Sequence, residues 1–204
     1  MDHTAEDIIR NMITRRSVRR YRDGQITDEH LAAILRCGLY APTGHNCQYS
    51  RFIVIQEKAA LSELNDLIRT ELAGRELKEG QWLNKGIVRA RQEGYHFIYR
   101  APTLISAVSP RDHGNSMADC ACALENMQLA AWALGLGACW SNQPHWLTDM
   151  PDIRAFFARF GLREDEDIFG SISVGYMAER ADALPPRKEG RVVLDCPRAL
   201  GLDD

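Results

Sequence analysis

The sequence contains no uninterrupted apolar run near the ~18 residues that a membrane-spanning helix requires. Its first 16 residues include acidic side chains and lack the apolar stretch of a secretory signal. The net charge of −3 offers no excess of positive charge for a nucleic acid or an anionic membrane surface. These absences predict a cytoplasmic protein that binds neither membranes nor nucleic acids.

Disulfide and metal motifs are also absent. The six cysteines are widely separated along the chain, unlike those of a small secreted domain. Cys120 and Cys122 lie two positions apart on a predicted helix and therefore point to different sides. The histidines show no H-x-x-x-H pair, and no C-x-x-C occurs. We therefore expect free thiols in a reducing compartment and no metal site.

Nucleotide-binding and hydrolase signatures are incomplete. Gly135 and Gly137 imitate the start of G-x-G-x-x-G, but the third position is Trp140 and the glycines follow a helix instead of opening one. A helix C-cap followed by a strand explains Gly135 better. The run His45-Asn46-Cys47 has the residue types of a cysteine hydrolase, yet nucleophile and base rarely come from adjacent positions. We expect Cys47 to be a small, partly buried residue.

Hydrophobic periodicity predicts long helices interspersed with four or five short strands, which indicates a mixed sheet flanked by helices. The helix over 116–134 is apolar over much of its circumference and is predicted to be central. We expect one domain over 1–204, with a polar C-terminal extension from about residue 177. The first predicted helix begins after a cap at Thr4 and carries one apolar stripe, formed by Ile8, Ile9, Met12 and Ile13. The other predicted helices cover 27–39, with Thr27 as the N-cap, 57–72, and 149–160, with Asp149 as the cap. The predicted strands are 52–55, 103–108, one near 136–141, and 167–176.

An arginine-rich stretch follows the first predicted helix. "RRSVRRYR" holds five arginines in eight residues of a net acidic chain. Guanidinium groups around a serine hydroxyl are suited to a phosphate. Cations at a helix C-terminus that are otherwise solvated explain the stretch equally well. On composition alone, anion binding and surface charge carry equal weight.

A polar loop precedes the first predicted strand. In "APTGHNCQYSRFIVI", Pro42 and Gly44 supply a turn, and a row of short hydrogen-bonding side chains surrounds them. A plain turn needs two to four residues with glycine or proline in the right place. The extra polar groups indicate a binding loop.

Four stretches, in this order, resemble the nitroreductase family of FMN-dependent oxidoreductases: "RRSVR", "APTGHNCQ" before Phe-Ile-Val, "LAAWALGLGACW", and "SVGY" followed by "LPPRK". Each is weak alone, but the ordered set is specific and covers nearly the whole chain. The resemblance implies an α+β fold with a mixed, mainly antiparallel sheet flanked by helices. It also implies an intertwined homodimer with FMN at the interface.

The resemblance assigns cofactor contacts to both ends of the chain. Arg15, Arg16 and Ser17 would contact the FMN phosphate and ribityl chain, and Arg19 would lie near the flavin N1–C2=O edge. The residues that would return to the phosphate from the C-terminal part are Arg187 and Lys188.

It also assigns contacts to the polar loop and to the end of one strand. Backbone groups around Ser141 and Asn142 would face the flavin N5. Gly44 replaces a usual serine, and no asparagine precedes "TLISAV", where some members place one against the flavin. The loop residues that would reach FMN bound mainly by the other subunit are Pro42, Thr43, Gly44 and Asn46.

The implied activity is hydride transfer from NADH or NADPH through FMN to an electron-poor acceptor such as a nitroaromatic or quinone, in a ping-pong cycle. No side chain need act as acid or base in the hydride step, so no catalytic residue is predicted. The alternatives are a relative with other flavin chemistry, such as reductive dehalogenation or flavin breakdown, and a flavin-binding sensor or storage protein. The segment 82–99 is either a lid that selects the acceptor or a solvated helical excursion whose aromatic residues are core.

Overall fold

The computed structural model describes residues 4–179, 183–193 and 195. Seven helices, a 3-10 turn and four strands alternate along these residues. No helix among them is long and apolar enough to cross a membrane. The helices are α1 Ala5–Thr14, α2 Asp28–Leu39, α3 Lys58–Ala73, α4 Asn84–Ala90, α5 Ser116–Ala133, α6 Gln143–Trp146 and α7 Pro151–Ala158, the 3-10 turn is Gly44–Asn46, and the strands are β1 Arg51–Ile55, β2 Thr103–Pro110, β3 Leu136–Trp140 and β4 Glu166–Tyr176.

The four strands form one sheet in the order β1-β2-β4-β3, and all three pairings are antiparallel. An isolated parallel bridge between Ser17 and Ala138 extends the sheet beside β3. The predicted α+β fold with a mixed, mainly antiparallel sheet is thus confirmed. The assignment of 1–204 to one domain with an extension from about residue 177 stays a prediction.

Each face of the sheet covers its own hydrophobic core. On one face, α3, α4 and α7 pack over Ile53, Leu104 and Ile168. On the other face, α2 and α5 pack over Ile105 and Ile172. Because successive side chains of a strand point to opposite faces of the sheet, Leu104 packs in one core and Ile105 packs in the other.

A bulge in β4 adjusts this alternation. Val108 pairs with Ile168 and Ala107 pairs with Gly170, so Phe169 is the extra residue. One extra residue reverses which face the following side chains point to. Ile168 and Ile172, four residues apart, therefore reach opposite faces of the sheet. The sequence analysis did not predict this bulge.

Helix α5 is central, as predicted, and contacts α1, α2 and three strands. It ends where Gly135 adopts φ 74°, the left-handed conformation that glycine supplies at helix ends. Glycine also allows the close approach of α2 to α5, because a Cβ at Gly38 would lie 2.0 Å from Met127 Cε.

Helix α1 has a different environment. Thr4 and Asp7 form the predicted capping box, but none of the helix residues is buried. The helix is attached to α5 by polar contacts: Asn11 Nδ2 donates to Leu129 O, and Trp132 Nε1 donates to Thr14 Oγ1. The apolar stripe predicted on this helix is about half exposed; its members are Ile8, Ile9, Met12 and Ile13.

One local prediction needs correction. The N-cap of α7 is Met150, not Asp149, because Pro151 occupies the first helical turn, where its missing N–H costs nothing.

The apolar residues 192–194 stand apart in a polar tail, and the sequence suggests that they form an edge strand on a partner chain. In the described chain Val192 and Val193 are exposed, and Leu194 lies outside the described residues. The edge strand on a partner stays a prediction.

Candidate active site

The arginine segment, residues 15–22, runs along the edge of the sheet. The Val18 N–H donates to Ala138 O at 2.9 Å, next to the bridge formed by Ser17. Gly137 makes this approach possible, since a Cβ there would lie 2.6 Å from Val18 Cγ1. Backbone pairing with β3 therefore fixes the positions of the Cα atoms from which the arginine side chains extend.

Arg15 and Arg16 hold hydrogen-bond donors that no other described residue satisfies. Arg16 Nη1 donates to the carbonyls of Ile13 and Arg15, at 2.9 and 2.6 Å, and its Nε donates to Ala183 O at 3.1 Å. Arg16 Nη2 is buried without a partner among the described residues. Arg15 Nε is also buried and lies 3.4 Å from a carboxylate oxygen of Glu125 without hydrogen-bond geometry. Capping of the helix end thus accounts for the hydrogen bonds of Arg16 Nη1. The buried donors Arg16 Nη2 and Arg15 Nε remain available to bind an anion.

A cavity of about 550 Å³ lies beside this segment. Arg19 enters its wall, where its Nε donates to Tyr99 Oη at 3.2 Å and its guanidinium lies 5.8 Å from the Tyr99 ring centroid. Most of the remaining wall comes from the segment 82–100, with Gln143 and Trp146 opposite; the basic residues in it are Arg19, Lys85, Arg89 and Arg100.

Two polar side chains of this wall are incompletely satisfied. His96 Nδ1 is buried without a partner among the described residues. Burial, with a smaller contribution from Arg100, lowers the pKa of His96 to about 4, so its imidazole is neutral near pH 7. Gln143 Nε2 donates weakly to Tyr95 Oη at 3.4 Å, while its Oε1 is buried and unpaired within the described part of the chain.

These atoms account for most of the unsatisfied buried polar side chains. Among the described residues, the buried side-chain nitrogens and oxygens without a partner belong to Arg15, Arg16, His30, His96 and Gln143. All but His30 lie in the arginine segment or the cavity wall. Because buried polar groups are normally paired, this clustering indicates a polar ligand.

Ser141 and Asn142 follow β3 at the end of the same region. The Ser141 N–H donates to Ser171 O at 2.8 Å, and its hydroxyl donates to Phe97 O at 3.4 Å. Ser141 is therefore occupied by the fold. Asn142 Oδ1 accepts from Trp140 Nε1, but its backbone N–H has no acceptor within the described residues. Of the two predicted backbone donors, only that of Asn142 is available.

The polar loop, residues 42–48, has a strained backbone. His45, Asn46 and Gln48 are not glycine yet have φ of 53°, 55° and 53°. Such conformations cost free energy and concentrate at functional sites. Thr43 Oγ1 accepts from the Gln48 N–H at 3.2 Å and closes the loop on itself.

The polar loop is attached to the beginning of α5. The Gly44 N–H donates to Asp119 Oδ1 at 3.1 Å. A Cβ at Gly44 would lie 2.0 Å from Asn115 Nδ2, so glycine allows the polar loop to lie close against the residue that precedes α5. Pro42 and Asn46 are exposed.

The structure divides the predicted residues between opposite edges of the sheet. The arginine segment flanks β3 at one edge, and the polar loop leads into β1 at the other. Strands β2 and β4 lie between them, so these edges are about 14 Å apart by strand spacing alone. One chain therefore does not combine the two sets of residues in one cradle.

Arg187 and Lys188 are exposed and make no hydrogen bond or ion pair with other described residues. The chain passes Arg16 at Ala183, whose carbonyl accepts from Arg16 Nε. The structure thus brings the C-terminal segment to the arginine segment, but not these two side chains to a common anion site.

Sequence reasoning missed two residues that shape the site. Gln143 contributes an unpaired oxygen to the cavity, and Asp119 holds the polar loop. Gln143 directly follows two predicted residues, so its position was a usable signal. No sequence signal pointed to Asp119, because it lies 75 residues from Gly44 along the chain.

Comparisons with known proteins agree with this arrangement. The family model described as the Nitroreductase family matches residues 12–176. A curated relative from Archaeoglobus fulgidus, with the provisional name NADH dehydrogenase/NAD(P)H nitroreductase, is 28% identical over 177 residues, covering 87% of this chain and 89% of its own.

Solved structures give the same family. A nitroreductase with bound FMN from Bacteroides fragilis is 34% identical, with a TM-score of 0.81 over 92% of this chain and 98% of its own. A nitroreductase with bound FMN from Desulfitobacterium hafniense is 24% identical with a TM-score of 0.79, covering 92% and 98% of the two chains; at that identity the likeness shows the fold alone.

Proposed function

Because this chain belongs to the nitroreductase family, we propose that it is an FMN-dependent oxidoreductase that moves hydride from NADH or NADPH to an electron-poor acceptor. When bound, FMN supplies the two-electron chemistry, accepting hydride from the nicotinamide and passing it to the acceptor. A nitroaromatic, a quinone or a similar compound is the proposed acceptor, which enters after the oxidised nicotinamide leaves.

The observation that carries the proposal is the clustering of unpaired buried polar atoms. Buried guanidinium donors on Arg15 and Arg16 are suited to a phosphate, for which charge-assisted hydrogen bonds are strong. The unpaired atoms of His96 and Gln143 lie in the adjacent cavity wall, where a flat ring with polar edges could pair with them. The donor and acceptor set of this chain therefore fits FMN.

In this proposal the side chains orient the reactants and exclude water. Arg19 places a cation at the cavity wall and is itself held by Tyr99. His96 is neutral near pH 7 because burial lowers its pKa to about 4, so it contributes a fixed dipole instead of a charge. No side chain is assigned as acid or base, and orientation of the reactants is the main contribution of the protein.

We further propose that two chains complete each site as a homodimer. The support is that the arginine segment and the polar loop lie at opposite edges of one sheet. A second chain could bring its polar loop to the arginine segment of the first. The exposed apolar stripe of α1, with Tyr40 77% exposed nearby, offers the kind of surface that a second copy covers.

The segment 82–99 supplies most of the cavity wall, and we propose that it selects the acceptor. Trp82 is 63% exposed and packs edge-on against Trp146, with centroids 4.6 Å apart. Trp82→Ala is expected to change the ratio of kcat/KM between a bulky and a small acceptor by several-fold. Leu77→Ala, at an exposed position before the segment, is the matched control. If Trp82→Ala left the ratio of the two kcat/KM values unchanged, the proposal that this segment selects the acceptor would be contradicted.

Anaerobic titration of the purified protein tests the proposed reaction. The protein is expected to be yellow, to lose its absorbance near 450 nm (about the maximum of oxidised flavin) with NADH or NADPH, and to recover it with a nitroaromatic. Bound flavin that neither nicotinamide reduces would favour other flavin chemistry or a sensor. Failure to bind FMN at all would contradict the proposal.

A cytoplasmic location stays a prediction. It rests on the sequence and agrees with the described cysteines, all of which are free thiols.

A further inference from the structure

Three potential metal ligands converge beside the polar loop. Cys47 Sγ lies 3.6 Å from His113 Nε2 and 3.7 Å from Asp119 Oδ2, and the latter two atoms are 3.9 Å apart. The three residues come from the polar loop, the connection between β2 and α5, and the first turn of α5. A thiol, an imidazole and a carboxylate oxygen therefore surround one point.

We propose that Cys47, His113 and Asp119 bind a divalent zinc ion. Zinc bonds of about 2.3 Å to sulfur and about 2.0–2.1 Å to nitrogen and oxygen, at a tetrahedral angle, place ligand atoms roughly 3.3–3.6 Å apart. The two separations from sulfur, 3.6 and 3.7 Å, are close to the value for zinc, and the nitrogen–oxygen separation of 3.9 Å is about 0.5 Å longer, so a movement of His113 or Asp119 by about that distance completes the site. Mixed sulfur, nitrogen and oxygen ligands are typical of zinc.

One carboxylate oxygen of Asp119 is held by the polar loop, and this contact orients the other oxygen toward the proposed zinc ion. Asp119 Oδ1 accepts the Gly44 N–H at 3.1 Å, which leaves Oδ2 directed at Cys47 and His113. The His113 ring is held edge-on against Tyr49, with centroids 5.1 Å apart and planes at 87°. Such outer contacts orient metal ligands and raise affinity.

The arrangement is unsuited to a cysteine hydrolase, although it has the residue types of one. In a nucleophile–base–carboxylate relay, the nucleophile contacts one imidazole nitrogen and the carboxylate orients the other. Here Cys47 Sγ and Asp119 Oδ2 both approach Nε2 of His113. The thiol and the carboxylate oxygen therefore face the same imidazole nitrogen, which is the arrangement of ligands around a shared ion and not that of a relay.

The site is accessible and leaves room for a fourth ligand. The side chain of His113 is 25% exposed and that of Asp119 is 8% exposed, so an ion can enter from solvent. Three protein ligands with an open fourth position allow water or a ligand oxygen to bind. Bound zinc would connect the polar loop to α5 through Cys47. This inference does not depend on the proposed oxidoreductase activity.

Zinc titration of the chelator-treated, FMN-loaded protein tests the site. Competition with a chromogenic chelator is expected to show one zinc ion per chain. Asp119→Asn keeps the oxygen that accepts from Gly44 and removes a ligand, and Cys47→Ser replaces the thiolate. Both are expected to lower zinc affinity by more than about 100-fold, since outer contacts alone are worth 10–100-fold. The controls are Cys37→Ser and Cys122→Ser, at two exposed cysteines outside the cluster, which should bind as the wild type does.

Alkylation of the wild-type protein gives a second readout that needs no variant. Zinc is expected to slow the reaction of Cys47 with iodoacetamide at least tenfold, measured by peptide mass spectrometry, and to leave Cys37 and Cys122 unchanged. Zinc binding below one ion per chain, equal affinity in Asp119→Asn and the controls, or no protection of Cys47 would each overturn the proposal.

Discussion

The arginine segment and the polar loop both carry predicted cofactor contacts, but the fold holds them differently. The arginine segment is held at the sheet by an isolated bridge between Ser17 and Ala138 and by the Val18 N–H, which donates to Ala138 O. The polar loop instead has left-handed residues and is attached to α5 mainly through Asp119. The first is positioned by the sheet of its own chain, whereas the second stores strain and lies at the far edge of that sheet. In the proposed dimer these two segments from different chains would form one site, and we call them half-sites below.

The largest expected effect is on FMN binding and activity, and it tests whether each site is formed by one chain or by two. Arg16→Ala is expected to weaken FMN binding about 100-fold, because a charge-assisted hydrogen bond contributes about 1.5–3 kcal/mol. A Thr43→Ala/Asn46→Gly double variant removes the polar loop contacts without adding strain at the positive φ of Asn46. If sites combine two chains, refolding equal amounts of both variants together restores about a quarter of the wild-type activity, since half the dimers have one intact site.

Arg22→Ala, an exposed arginine of the same segment, controls for the loss of charge in this experiment. Activity that stays at the level of the separate variants would show that both half-sites act within one chain.

The anchor where the polar loop enters the sheet gives the next effect. Arg51 Nε donates to Glu166 Oε1 at 2.7 Å, and Glu166 is 2% exposed. Burial alone would raise the pKa of Glu166, but hydrogen bonds from Arg51 lower it overall. Arg51→Met leaves the buried carboxylate with the Arg163 N–H as its remaining donor. It is expected to reduce the free energy of unfolding by about 2–3 kcal/mol at pH 7, less than for a fully buried pair because Arg51 is partly exposed.

This contribution has a defined pH dependence. A carboxyl whose folded pKa is lowered stabilises above its unfolded value of about 4.3 and loses that effect as the pH falls. Denaturant unfolding at pH 7 and pH 3.5 should therefore show a smaller difference between wild type and Arg51→Met at the lower pH. A difference that grows on acidification would contradict the ion-pair account.

The same substitution at two glycines compares the half-sites directly. Gly137→Ala would place a Cβ 2.6 Å from Val18 Cγ1 and 2.8 Å from Met177 Cγ, in a region fixed by backbone pairing. Gly44→Ala would meet the side-chain end of Asn115, which can rotate away. We expect a loss of about 1–3 kcal/mol for the first and about 0.5 kcal/mol for the second. Equal losses in thermal unfolding would show that the loop is as rigid as the sheet edge.

The smallest expected effect is the contribution of His96, in the cavity wall, to the pH dependence of the free energy of unfolding. The pKa of His96 is lowered to about 4, so the unfolded chain binds a proton that the folded protein does not between about pH 6.5 and pH 4. His96 therefore stabilises the fold above pH 6.5, and this contribution is lost as the pH falls toward 4. His96→Asn should remove about 1 kcal/mol of the stability change between pH 7 and pH 5. The control is His45→Asn, an exposed histidine of the polar loop, which should keep the wild-type slope.

Much of this molecule follows from local sequence. Thr27 caps α2 as predicted, with its hydroxyl accepting from His30 N. Gly135 ends α5, and a short, largely apolar run that is buried on both faces specifies β2. These features depend on the conformations and hydrogen bonds of neighbouring residues, which a short stretch of sequence contains. The family resemblance also identified the segment whose buried arginine donors remain unpaired.

Other features depend on residues that are distant in sequence. The bulge at Phe169 follows from pairing with β2, and the N-cap of α7 shifted to Met150 where Pro151 could begin the helix. The sequence placed both half-sites in order, but only the strand order showed that they lie at opposite edges.

The cluster beside the polar loop shows the limit most clearly. No short-range spacing indicated this cluster, because the structure places Cys47 next to His113 and Asp119, which lie 66 and 72 residues away. Local sequence determines which conformations and chemical groups are available to each segment. Burial of two hydrophobic faces against one sheet decides which distant groups meet, because that packing requires the whole chain.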